Sequence, residues 1–164
     1  LLHKFVPEFS NRIDSSIQAA RQYNTTSTNT ESSFARIRIW SATKSLLKNY
    51  WLLGTGTGDI KDVLIKKYHE LGMENEVIKN YNTHNQYLQT FLTLGITGLA
   101  TLLVIIGASG WIAIKNNDFI LLVFILIFST NILFEAMLEV QAGVLFFAFF
   151  NSFLVATKPS TQNE

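Results

Sequence analysis

The chain has 164 residues, a formal net charge of +1, no cysteine and a mean hydropathy of +0.23. Charge this close to zero gives no electrostatic footprint for a nucleic-acid partner, and none is expected. Its distribution is uneven, with 19 charged side chains in residues 1–85 and four (Lys115, Asp118, Glu135, Glu139) in residues 86–157, so the two parts are suited to different solvents.

In chain order, residues 8–23 space Phe9, Ile13, Ile17 and Ala20 three or four apart, the pattern of an amphipathic helix. The polar run Asn24–Ser33 reads as a loop. A second helix is expected from Ser33 as N-cap through Tyr50, with Arg36 and Trp40 on one face. "GTGTGD", Gly54–Asp59, breaks it, since glycine in a helix interior costs about 1 kcal/mol. Asp59 is placed to cap a third helix, Ile60–Leu71, striped by Ile60, Val63, Leu64 and Leu71 and ended by Gly72. The connection Met73–Thr83 then leads to His84 and Asn85.

From Tyr87 to Ile114 no residue is charged, a stretch longer than the roughly 20 residues that cross a bilayer as a helix. The next apolar run, Phe119–Phe134, rises about 24 Å as a helix and reaches across only by recruiting Ala136–Leu138. Val140–Thr157 is long enough by itself. The expected architecture is an all-α integral membrane protein: a periplasmic helical loop over 1–85, transmembrane helices at about 86–114, 119–138 and 140–157, and a cytoplasmic tail, 159–164. Buried helices of a soluble all-α protein are the alternative. Lys115 and Lys158 share one side, which the positive-inside rule makes cytoplasmic, and put His84, Glu135 and Glu139 on the outer face. The chain opens "LLHKF" without a signal-peptide pattern and reads as the C-terminal part of a larger multi-spanning protein.

Several chemistries have no motif here. HExxH, CxxC and the P-loop are absent, and the four aspartates are not paired, so no metal and no cofactor are expected. What remains is His84, a candidate general base near neutral pH, and Arg36 with Arg38, whose guanidinium forks suit a diphosphate. Each has a plainer reading, His84 as an interfacial cap and the arginines as headgroup contacts. "GTGTG" is either a phosphate cradle or an ordinary loop, and Glu135 with Glu139 either a functional pair or a water-interface marker.

Taken in order, "RIRIW" (Arg36–Trp40), "LLGTGTGD" (Leu52–Asp59), "THNQYLQTFLTLGITGL" (Thr83–Leu99) and "FEAMLEVQAG" (Phe134–Gly143) resemble the C-terminal part of the O-antigen ligase and polymerase family of bacterial membrane glycosyltransferases. The resemblance runs from about Ser33 to Ser152 and implies transfer of a glycan from undecaprenyl diphosphate to an acceptor hydroxyl, such as a lipid A core sugar. It implies an inner-membrane enzyme, multi-pass, with its active face periplasmic and in contact with membrane lipids. Relatives polymerise the glycan or attach it to protein, and a non-catalytic membrane scaffold is the reading from another class. The family's loop histidine falls on His84 and its loop arginine on Arg36, which the resemblance makes catalytic; Arg38 has no firm counterpart. Substrate contacts are expected from Arg38, Asn85, Trp40, Gly54, Gly56, Glu135 and Glu139.

Overall fold

The computed structural model describes residues 32–157. The helix expected over 8–23, Lys158 and the tail 159–164 lie outside these residues, as does nearly all of the polar loop. Within them the chain is helical: α1 (Ser32–Tyr50), α2 (Ile60–Glu70), α3 (Glu74–Ile78), α4 (Gln86–Lys115), α5 (Phe119–Asn131), a 3-10 turn (Met137–Glu139) and α6 (Gln141–Ala156).

Two cores form. Ile39 and Ala42 of α1 pack with Ile60, Leu64 and Tyr68 of α2, Met73 and Leu92 of α4. Asp59 stands at the N-cap of α2 without a capping side-chain bond, and Tyr68 replaces Leu71 in the buried stripe, Leu71 being exposed. Gly72 does end α2, at φ +64. The second core joins Ala113 of α4 to Leu121, Ile125 and Phe128 of α5, Ile132, and Phe147 of α6, with Phe128 and Phe147 stacked at 4.3 Å between centroids.

α4 is broken at Gly95 (φ 65, ψ −159). Asp118 N–H donates to Ala113 O (2.7 Å), which ties the start of α5 to the end of α4, while Gln86 N–H donates to Ile132 O (2.8 Å) just past the end of α5. The 13 residues of α5 rise only about 20 Å, whereas an unbroken α4 would carry Gln86 more than ~40 Å from Lys115. Both ends of α4 therefore reach α5 because the arm 86–94 is folded back at Gly95. Ile96–Lys115, about 30 Å long, is the part that matches a bilayer.

The break is held by backbone. Thr55 N–H donates to Leu92 O (2.8 Å), Gly56 N–H to Thr93 O (2.9 Å) and Ile96 N–H to Trp51 O (2.8 Å). A Cβ at Gly54 would overlap the Thr93 carbonyl, and one at Gly95 the Leu52 carbonyl.

By length and composition α4 is the one helix among the described residues able to cross a membrane, and only 22% of its most apolar window is buried by the protein. α5 and α6 are shorter apolar helices of 13 and 16 residues. The run expected to continue to Leu138 leaves the helix at Asn131, because the Ile132 and Leu133 carbonyls turn to meet Gln86 N–H and the Asn85 side chain.

Candidate active site

His84 sits on a tight turn made by its neighbours. The Asn82 Oδ1 accepts His84 N–H (2.9 Å), an Asx-type closure that holds His84 at φ +46, a left-handed conformation uncommon for a residue with a side chain. Asn85 is extended and caps α4, its Oδ1 accepting Leu88 N–H (2.9 Å) while its Nδ2 donates to Leu133 O (3.0 Å). Thr83 donates its hydroxyl to Asn85 O (2.8 Å) and its N–H to the Gln89 side chain (3.3 Å). The Trp40 indole N–H donates to Thr83 O (2.9 Å) and so docks α1 on this turn.

With the backbone fixed on both sides, the imidazole faces Glu135: His84 Nδ1 lies 3.2 Å from Glu135 Oε2, and the Tyr81 ring meets the imidazole edge-on at 4.9 Å. A carboxylate only accepts hydrogen bonds, so the geometry favours a hydrogen on Nδ1, and in the neutral imidazole that tautomer leaves the lone pair on Nε2. The histidine side chain is 20% exposed and the glutamate 49%, which leaves the pair open to a substrate.

The two arginines separate. Arg36 stands one turn before Trp40 on the face of α1 that meets the His84 turn, half-buried and without an ion pair to any described residue. Arg38 points to another face, with Nη1 3.5 Å from Glu76 Oε1, and Glu76 is buried. Neither Glu76 oxygen has a hydrogen bond, and the Tyr68 hydroxyl is likewise buried and unbonded. Burial first, then the neighbouring Glu76 carboxylate, push the Tyr68 pKa far above its ordinary value. The internal ion pair gives Arg38 a structural partner on this face.

The other expected residues are placed as follows. The Asn85 amide is engaged by the cap and by Leu133, the Gly54 N–H by Tyr50 O and the Gly56 N–H by Thr93 O. The structure thus gives these three groups, and the Trp40 indole, partners within the protein. Glu139 is exposed at the end of the 3-10 turn, away from any bond to His84. Among the described residues no group of three or more His, Cys, Asp or Glu is placed to hold a metal ion.

Thr83, Gln86 and Gln89 were not singled out from the sequence, yet all three are buried and hold the turn together. Gln86 Oε1 accepts Leu138 N–H (2.7 Å), and its Nε2 donates to the Thr90 hydroxyl (3.0 Å). A signal was present: Gln86, Gln89, Thr90 and Thr93 recur at i, i+3, i+4 and i+7, a polar stripe within an otherwise apolar run.

No curated protein and no solved structure matches the chain. A family model described as O-antigen ligase matches residues 4–103, which include the whole of the α1 to His84 assembly. The chain belongs to the O-antigen ligase family, membrane-integral proteins of ligase- and polymerase-type glycan transfer.

Proposed function

We propose that this chain transfers a glycan from undecaprenyl diphosphate to an acceptor hydroxyl, a lipid A core sugar being the acceptor class, at the periplasmic face of the bacterial inner membrane. The acceptor O–H gives its proton to His84 Nε2 while its oxygen attacks the anomeric carbon. The bond from that carbon to the diphosphate breaks, its electron pair leaves with undecaprenyl diphosphate, and Arg36 neutralises the charge that develops. A single displacement inverts the anomeric centre. The donor already carries its leaving group, so neither metal nor nucleotide has a task in this scheme.

The observation that carries the reading is the contact of 3.2 Å between His84 Nδ1 and Glu135 Oε2, formed by residues 51 apart in sequence. It turns Nδ1 to the carboxylate and leaves Nε2 for a substrate proton, the arrangement a general base requires. Arg36 adds support as a cation on the docked face of α1 with no ion pair inside the described structure. Glu135 becomes the residue that orients the base, a closer role than the acceptor contact expected from sequence.

The test is complementation in cells lacking their own ligase, with the full chain, His84→Ala and Arg36→Ala compared at matched membrane abundance. Wild type should restore long glycan on the lipid A core, and each variant should lose about 10²–10⁴-fold in transfer rate. Equal transfer by His84→Ala removes the base from the mechanism. Glycan growth on the lipid carrier with a bare core assigns the polymerase reaction instead.

A further inference from the structure

Trp51, Leu52 and Leu53 follow one another at the loop after α1, and they are 54%, 51% and 81% exposed. The loop is not a loose tip. Its carbonyls and amides are bonded to the break in α4 at Leu92, Thr93 and Ile96, and the Gly54 and Gly95 backbones lie too close for a side chain on either. The three apolar side chains are held outward by a rigid latch, beside Leu94 and Ile96, which are also exposed.

The level of this cluster along the span follows from α4 itself. Ile96–Lys115 rises about 30 Å, the thickness of a hydrocarbon core. Its far end is marked by Trp111, exposed, with the Lys115 ammonium 4.9 Å from the ring centroid, an aromatic and a snorkelling lysine of the kind that occupies a membrane boundary. Trp51 is bonded to Ile96, the first residue of the span, and so stands at the opposite boundary. Exposed apolar residues recur along α4 from Val104 and Leu103 through Ala100 to Ile96, next to this loop.

We infer that Trp51–Leu53 is a membrane-docking wedge that inserts into the lipid at the boundary between headgroups and acyl chains, at the Gly95 end of the span. Trp51 supplies the interfacial aromatic, and Leu52 and Leu53 the apolar depth. The wedge fixes the depth of α1, whose Trp40 holds the His84 turn. It depends on the lipid exposure of α4 and not on the glycan chemistry.

The chain has no cysteine, so single cysteine variants of the full chain carry one environment-sensitive fluorophore each. Leu53→Cys is compared in lipid nanodiscs with Leu103→Cys, exposed on the span, and Lys61→Cys, exposed on α2. The expected result is blue-shifted emission at Leu53, strong quenching by lipid carrying a nitroxide near its headgroup, and loss of quenching by aqueous iodide, as at Leu103. Iodide quenching equal to that at Lys61 overturns the wedge. Shielding from both quenchers also overturns it, because protein would then cover the loop.

Discussion

Gly95→Ala tests whether the folded-back arm is held by the loop. At φ 65 and ψ −159 the backbone lies in a region essentially limited to glycine, so alanine adds about 1–3 kcal/mol of conformational strain. Its Cβ also overlaps the Leu52 carbonyl. Relief requires the loop to move off, which breaks the bonds from Thr55, Gly56 and Ile96, each contributing about 0.5–1.5 kcal/mol. The total is about 3–7 kcal/mol, a large share of the 5–15 kcal/mol that holds a typical domain together. Hydrogen exchange in detergent should show the Thr55, Gly56 and Ile96 amides losing protection together, with a fall in melting temperature. Gly54→Ala, at φ 74 and against the Thr93 carbonyl, should do the same. The double variant should cost little more than either alone, because one opened latch relieves both clashes. Gly58→Ala is the control: an added Cβ there meets nothing within 4 Å, and the change should stay within about 0.5 kcal/mol. If Gly95→Ala keeps its amide protection, the latch is not what bends α4.

Glu135→Gln keeps the size of the side chain but removes the carboxylate that His84 Nδ1 faces; if that carboxylate orients the proposed base, transfer should fall about 10–100-fold at unchanged membrane abundance, and an unchanged rate would detach Glu135 from that role. Tyr68→Phe removes a buried hydroxyl with no hydrogen bond and should raise stability by about 1 kcal/mol near neutral pH. The same variant should flatten the alkaline limb of the melting curve. The folded pKa of Tyr68 is raised, so above about pH 10 the unfolded chain sheds a proton that the folded chain keeps, and stability falls by about 1.4 kcal/mol per pH unit from this group. Equal slopes for wild type and Tyr68→Phe between pH 9 and 12 would rule this out.

The helices and their order are legible because they rest on short-range signals. Glycine after Tyr50 and after Leu71 ends a helix, and the uncharged run to Ile114 makes another. His84 and Arg36 could be singled out as candidates by residue type, but their surroundings could not be read from the sequence. Glu76 sits in what reads as a connection, and its burial against Arg38 depends on the packing of three helices, α1, α2 and α3, that no local spacing encodes. The bend at Gly95 is hidden for the same reason. One glycine in a long apolar run is compatible with a straight span, and only its match to Gly54, 41 residues earlier, makes it a hinge.

That hinge changes the meaning of the histidine's place in the sequence. Read linearly, His84 stands at the threshold of a membrane helix; in the structure it stands just before a short arm folded back at Gly95, and the stretch that matches a bilayer begins after Gly95. Among the described residues the arm enters both cores, through Leu92 to the loop helices and through Tyr87 to α5 and α6. His84 is docked from the loop side by the Trp40 bond to Thr83, whereas Glu135 is carried by the connection after α5. The two side chains of the pair thus belong to different bodies, joined across the site by Asn85 to Leu133 and by Gln86 to Ile132 and Leu138. These bonds help to hold Nδ1 in register with the carboxylate. Their loss would separate the pair while each core stayed packed, so the geometry of the His84–Glu135 pair, and of the base proposed there, depends on how the loop is seated as much as on the residues that touch it.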